Sequence, residues 1–285
     1  MTDLEIASAS AADLKLMRDW ADREGWNPGE SDRFAFAVAD PRGFLVGRVK
    51  GDPVACISAV RYGSGFGFVG FYIARPESRG QGYGIQLWRA GMAALEGRLV
   101  GLDGVVEQQA NYRKSGFRPA WTNTRFEGVP APGSLPGSPP AGVSLVDAAS
   151  LPFASIAAYD RRFFPEPREA FLAAWTGLPG RTGYAAVRGD EIVGFGVVRQ
   201  AAGPHRIGPL YAADPEVAGV LLHRLAAAAG GGPVAVDVPE ANPAAVALCT
   251  AAGLTPAFET ARMYTGPTPD LDLPALYGLT SLELG

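Results

Sequence analysis

The sequence predicts an α/β (α+β) protein of two tandem domains, each a mixed, mostly antiparallel sheet flanked by helices. Three observations predict it. A stretch of Gly, Pro, Ser and Ala divides the 285 residues near their middle. A strand–turn–strand pattern stands on both sides of that stretch. Each side then runs on as strand, helix, strand and helix, as a duplicated layered unit does.

The first domain occupies residues 1–128. Leu14, Met17 and Ala21 recur at helical spacing near its start. FLVGRVKGDPVACISAVRY, residues 44–62, reads as two strands around a turn at Lys50-Gly51-Asp52-Pro53, where Gly and Pro stop both ladders. FGFVGFYIA, residues 66–74, is a third strand, and Ile85, Trp88, Met92 and Leu95 mark one face of the helix that follows. Residues 129–141 form the linker, with little to bury and no helix or strand period. The second domain, 142–285, repeats the order. YAAVRGDEIVGFGVVR turns at Gly189-Asp190, IGPLYA is the next strand, and ADPEVAGVLLHRLAAAA the next helix.

Composition narrows the class. The net charge is −4 and no run of Lys or Arg supplies a phosphate-tracking stripe, so nucleic acid is not an expected partner. Cys56 and Cys249 lie in apolar stretches without metal-ligand company, and the two histidines, His205 and His223, read as surface residues. No metal is expected. The start, MTDLEIASAS, lacks the basic-then-apolar order of a signal peptide, and no apolar run reaches membrane-spanning length. These features point to a cytoplasmic chain without a membrane partner.

The chemistry concentrates in residues 66–92. An apolar strand ends at Arg75-Pro76, a turn reads Arg79-Gly80-Gln81-Gly82-Tyr83-Gly84, and a helix begins directly after it. The first turn of a helix has backbone N–H groups without internal partners and carries partial positive charge. Glycines let that backbone approach a ligand closely, and Arg79 adds a forked donor. The arrangement suits a pyrophosphate. The spacing is wrong for a dinucleotide-binding G-x-G-x-x-G, and the Gly-Lys-Ser/Thr of a phosphate-loop NTPase is absent.

This segment resembles the acetyl-CoA loop of the GNAT N-acetyltransferases, whose pattern is Arg/Gln-x-x-Gly-x-Gly/Ala. Arg79, Gly82 and Gly84 match it. Ala74-Arg75-Pro76-Glu77 resembles the end of that family's preceding strand, and Tyr112-Arg113-Lys114-Ser115-Gly116-Phe117 resembles its Tyr-x-x-x-Gly-Phe. The resemblance implies that Tyr72, Ile73 and Ala74 meet the pantetheine arm of acetyl-CoA through backbone bonds. It implies that Arg79 to Gly84 cradle the pyrophosphate and that Tyr112 protonates the departing thiolate. A positioned general acid contributes about 10²–10⁴ in rate. Alignment of amine and thioester contributes more, about 7–11 kcal/mol. An alkylamine, with a pKa of about 10.4, must also lose a proton before it attacks. Asp103 and Glu107 are the candidate bases, and the motif does not choose between them.

The second domain departs from the pattern. Its counterpart of the loop reads Ala212-Ala213-Asp214-Pro215-Glu216-Val217, with carboxylates where phosphates would lie, and Cys249 stands where the tyrosine would be. Asn242 resembles the family's Asn-x-x-Ala element. The whole chain is thus similar to tandem GNAT proteins with an active first half and a degenerate second half. Gly25-Trp26-Asn27-Pro28, Asp160, Phe163-Phe164 and Thr280–Gly285 fit that group. Trp26 and Asn27 from one side, and Asp160, Phe163 and Phe164 from the other, are the expected walls of an acceptor cleft for a small cationic amine. The function implied is acetyl transfer from acetyl-CoA to a primary amine of a small molecule. Transfer to a protein lysine or N-terminus, and non-catalytic sensing of acetyl-CoA, are the alternatives.

Overall fold

Local chemistry sets the elements of the first half. The computed structural model describes residues 4–285. After β1 (Glu5–Ser8), helix α1 (Ala11–Arg23) opens on a capping box. The Ser10 hydroxyl accepts from the Asp13 amide at 3.2 Å, and the Asp13 carboxylate accepts from the Ser10 amide at 2.9 Å. Met17, Trp20 and Ala21 form its buried face. Next come α2 (Asp32–Ala39), which the sequence reading did not anticipate, β2 (Phe44–Val49) and β3 (Asp52–Tyr62). Lys50 and Gly51, at φ 52° and 86°, make the two-residue turn between β2 and β3. Strand β4 (Phe66–Ala74), helix α3 (Tyr83–Ala94), strand β5 (Leu99–Val105), helix α4 (Gln109–Lys114) and strand β6 (Arg118–Gly128) complete the half. Helix α3 buries Tyr83, Leu87, Trp88 and Gly91. Ile85, predicted on its core face, is exposed because it turns toward the cleft described below.

Residues 129–142 form no helix or strand, yet they are strapped to the second half. The Ala131 amide donates to the Ala252 carbonyl at 2.9 Å, and Leu135 is buried in the second half's core. The chain continues through β7 (Val143–Asp147), α5 (Phe153–Asp160), α6 (Glu169–Gly177), β8 (Arg181–Arg188) and β9 (Glu191–Arg199). It ends with β10 (His205–Ala212), α7 (Pro215–Ala228), β11 (Val234–Pro239), α8 (Pro243–Ala251), β12 (Thr255–Tyr264) and β13 (Leu276–Gly278). The predicted β8–β9 turn has Gly189 at φ 61°. Among the described residues, no helix is long and apolar enough to cross a membrane. Cys56 and Cys249 are buried; His223 is exposed and His205 half-buried.

The strands join in one sheet, ordered β1-β2-β3-β4-β5-β12-β6-β11-β10-β9-β8-β7, with β13 attached to β10. This order contains an exchange. Strand β12, from the second half, enters between β5 and β6 of the first, and β6 in turn pairs with β11 of the second. Each half therefore completes the other's sheet. One apolar core joins the halves, a second lies under α7 and α8, and a third under α3 and α4.

Buried ion pairs cross the same junction. Asp32 on α2 accepts from Arg181 at 2.8 Å and Arg199 at 3.1 Å. Asp237 on β11 accepts from Arg125 on β6 at 2.8 Å and from Arg206. Asp103 on β5 accepts from Arg262 on β12 at 2.7 and 2.8 Å. Loss of one member leaves a buried charge unpaired, at a cost of about 3–5 kcal/mol. The exchange thus depends on charge pairing as well as on strand hydrogen bonds.

Candidate active site

The site begins where two parallel strands part. Strands β4 and β5 pair over Phe66–Val69 and Leu99–Leu102 and no further. At the parting, Phe71 takes φ 45°, a left-handed conformation rare for an aromatic residue, and the β3–β4 register shifts there. This bulge turns Tyr72, Ile73 and Ala74 away from β5. Their free edge lines a cleft whose other walls are Arg79, Gly80, Gly82, Tyr83 and Gly84 on one side and Val105, Glu107 and Gln108 on the other. Local strain at a site of this kind persists only where the surroundings hold it.

The loop has the properties its sequence demands. Gly80 and Gly82 sit at φ 78° and 80°, and Gly82 is the N-cap of α3 with no side chain spending the helix's first amides. Gly84 is required for a different reason. A Cβ there would lie 3.0 Å from the Tyr72 hydroxyl, so a larger residue would crowd Tyr72 at the edge of the cleft. Free amides, the positive helix end and a strand edge make a cradle that fits a pyrophosphate with an extended amide-bearing arm. Two predicted residues stand differently. The Gln81 side chain turns back and donates to the Glu77 carbonyl at 2.9 Å, away from the cleft. Arg79 donates to the Ala74 carbonyl at 3.0 Å and pairs with Glu24 across the cleft.

Inward, the cleft continues into a narrow slot that shares Trp26, Tyr72, Val105 and Gln108 with it. Tyr112 stands in this slot. Its ring packs on Trp88 at 5.4 Å and on Phe117 at 6.4 Å. Gly104 makes the fit possible, since a Cβ there would lie 2.8 Å from the tyrosine ring. Burial, with Tyr72 beside it, pushes the Tyr112 phenol well above its ordinary value. It therefore stays protonated and can act as a proton donor.

The candidate bases part company here. Asp103 lines the slot, but its oxygens accept from Arg262 twice and from Asn123 at 2.8 Å. Its lone pairs serve the junction between the halves. Glu107 is exposed on the outer cleft and does not reach the slot with Tyr112. Sequence reasoning missed Glu283, Leu282, Phe258 and Thr260, which close the slot from the second half. The ending Thr280–Gly285 stood out in the sequence, but nothing local showed where it docks.

The acceptor-wall assignments need correction. Trp26 does line the slot, its carbonyl held by Arg125 at 2.8 Å and Arg206 at 3.1 Å. Asn27 is a clamp: its side chain bonds the Gly203 amide and the Pro204 carbonyl, both at 2.9 Å, tying the Trp26 loop to the second half. Asp160, Phe163 and Phe164 are not cleft residues. Asp160 accepts two bonds from Arg168 at 2.8 Å and one from Tyr211 at 3.1 Å. Phe163 stacks on Tyr211 at 3.8 Å, and Phe164 packs edge-on against Tyr62 at 4.7 Å. All three are buried where the halves meet, because aromatic area and a satisfied carboxylate suit an interior better than a wet wall.

Comparison with known proteins follows the same outline. Residues 12–117 match the model of the acetyltransferase (GNAT) family, and residues 156–278 match a second acetyltransferase (GNAT) domain model. The chain is 32% identical over 278 residues to a holothin acyltransferase of Pseudoalteromonas sp. (strain SANK 73390), covering 97% of this chain and 93% of the relative. A putative acetyltransferase from Pyrococcus horikoshii superposes with a TM-score of 0.82 at 21% identity, covering 100% of this chain and 97% of the other. A tandem GNAT protein from the clavulanic acid biosynthesis pathway superposes with a TM-score of 0.65 at 17% identity, covering 93% and 100%. At these identities the two structures speak for the fold alone.

Proposed function

This chain belongs to the GNAT acyltransferase family, and from that premise we propose that it moves an acetyl group from acetyl-CoA to a primary amine of a small molecule. The observation that carries the proposal is one continuous opening. A glycine loop with unspent helix amides lines its outer part, and Tyr112 stands in its inner part. Acetyl-CoA supplies an activated thioester when bound. The amides of the first turn of α3, with Arg79, bind its pyrophosphate, and the free edge at Tyr72–Ala74 aligns the arm that carries the thioester. Tyr112 gives its proton to the departing sulfur.

A narrowed acceptor side supports a small molecule over a protein. Phe258, Thr260, Leu282 and Glu283 wall the slot from the second half and narrow its acceptor side. The relative named for acylation of holothin supports the same reading. Val69, Phe71, Leu102, Phe258 and Leu282 make the slot largely apolar, which favours a compact amine with an apolar body over a polyamine.

The test is thiol release from acetyl-CoA in the presence of a panel of small primary amines, for the wild type and Tyr112→Phe. The variant should lose about 10²–10⁴ in kcat while binding acetyl-CoA as the wild type does in calorimetry. Equal turnover by the variant would remove Tyr112 from the chemistry. Binding without transfer by the wild type would favour a sensor.

A further inference from the structure

The first half's slot contains one carboxylate without a partner. Glu283 is 3% exposed, and its Oε2 has no hydrogen-bond partner among the described residues. Buried polar groups are nearly always bonded, so such an exception calls for a partner from outside the chain: a water, an ion or a ligand. Its charged neighbours have acid partners of their own: Arg125 and Arg206 pair with Asp237, Arg199 with Asp32, and Asp103 in the same slot with Arg262, while Arg125 Nη2 and Arg206 Nε are themselves left without a hydrogen-bond partner among the described residues.

The position of Glu283 is built, not incidental. The backbone of residues 279–285 is threaded between the halves. The Tyr62 hydroxyl donates to the Leu284 carbonyl at 3.0 Å, and the Glu283 and Leu284 amides donate to the Ser281 hydroxyl at 3.2 and 3.0 Å. Gly70 on β4 is the seat. A Cβ there would lie 2.1 Å from the Glu283 carbonyl oxygen, so only glycine admits this segment beside the bulge at Phe71. The segment thus makes Glu283, a residue of the second half, part of the lining of the slot that holds Tyr112.

We propose that Glu283 is the catalytic base, taking the proton that the attacking amine must shed. This rests on the amine-transfer reading above. Glu283 takes one proton from the ammonium form and leaves the nitrogen lone pair free. The C–N bond forms at the thioester carbonyl as the C–S bond breaks. Tyr112 gives its proton to the sulfur and regains one from the nitrogen, which is left as the amide. Glu283 returns its proton to solvent, so charge and protons balance.

The charges facing Glu283 are Arg125 on β6, Arg199 on β9, Arg206 on β10 and Asp32 on α2, with Asp103 and the Tyr112 phenol along the slot. Burial raises the carboxyl above its ordinary value; Arg206, Arg199 and Arg125 oppose this, and Asp32 adds to it. A raised value makes the carboxylate a stronger base. It also means that the folded protein resists ionisation here, so that stability is present at low pH and is lost as pH rises through the folded value. A neutral replacement removes that cost.

The experiment compares wild type, Glu283→Gln and Glu283→Asp, using acetyl-CoA and the amine of the panel that the wild type turns over fastest. Expected for Glu283→Gln is a fall in kcat of about 10²–10⁴, unchanged acetyl-CoA affinity and a Tm no lower than that of the wild type. The acidic limb of the wild-type pH–kcat profile should vanish in Glu283→Gln and persist, at reduced rate, in Glu283→Asp. A Glu283→Gln enzyme with the wild-type rate and limb would overturn the base and leave the amine-transfer reading intact. A lowered Tm with lost acetyl-CoA binding would mean a structural role and overturn the base as well. A wild type that transfers to no amine overturns both readings.

Discussion

The two halves share a plan and differ most at the parting of their parallel strands. In the first half, β4 and β5 separate and leave a cleft. In the second half, β10 and β11 pair over His205–Ile207 and then also part, but β13 lies in the gap. Leu276 and Gly278 pair with β10, and the Leu279 amide donates to the Asp237 carbonyl of β11 at 2.9 Å. Asn242 holds the plug. Its carbonyl oxygen caps α8 through the Ala244 and Ala245 amides, while its amide nitrogen donates to the Pro274 and Leu276 carbonyls. The same geometry that opens one half for an extended ligand is closed in the other by the chain's own strand. The chain then runs on from the plug to deliver Glu283 to the open half. Degeneration in one site has become architecture for the other.

The helix ends carry the same contrast. The N-cap of α3 is Gly82, which spends none of the helix amides; that of α7 is Asp214, whose carboxylate accepts from the Val217 amide at 2.9 Å. Gly82→Asp places a carboxylate at the helix end of the first half, on a left-handed backbone where that of Asp214 is extended. A carboxylate about 4 Å from a phosphate charge costs about 4 kcal/mol at an effective dielectric near 20. Acetyl-CoA affinity should therefore fall by roughly 10³-fold in calorimetry, while the left-handed backbone at 82 lowers stability by about 1 kcal/mol. Retained affinity would mean that the helix end does not hold the pyrophosphate.

The reverse exchange, Asp214→Gly, should be weaker and of a different kind. Loss of an Asp cap for Gly costs a few tenths of a kcal/mol. No second acetyl-CoA site should appear, because β13 still occupies the gap. Calorimetry should return one site per chain. A stoichiometry of two would show that the charge at Asp214, and not the inserted strand, had closed the second half.

What could be read from the sequence follows the same division. The β2–β3 and β8–β9 turns and the glycine loop are set by neighbouring residues and could be read from local spacing, while Tyr112 stood out through its resemblance to the family's Tyr-x-x-x-Gly-Phe. The strand exchange was not legible, since Arg262 finds Asp103 only through a pairing between segments far apart in the chain. For the same reason Asp103 looked like a free base. Asp160 and Phe163-Phe164 look like a cation-binding wall until Arg168 and Tyr211 are seen to fill their surroundings. Glu283 depends on Gly70, a glycine that reads as ordinary in an apolar strand and whose reason is a carbonyl from the other half.

The smallest expected effect tests the loop's readiness. Arg79 is engaged by Glu24 across the mouth of the cleft, with side chains 52% and 33% exposed. In the second half the cap of α7, Asp214, lies 3.8 Å from Arg188. For the Arg79 guanidinium to reach a phosphate in the cleft, its pair with Glu24 must open. An exposed pair of this kind is worth about 0–1 kcal/mol. Glu24→Gln frees Arg79 and removes a negative charge from the mouth, so acetyl-CoA should bind up to about fivefold more tightly. The gain should shrink as salt is added, because both effects act between exposed charges. An unchanged affinity at low salt would mean that Arg79 stays with Glu24 when the cleft is filled, leaving the backbone amides of α3 to hold the pyrophosphate alone.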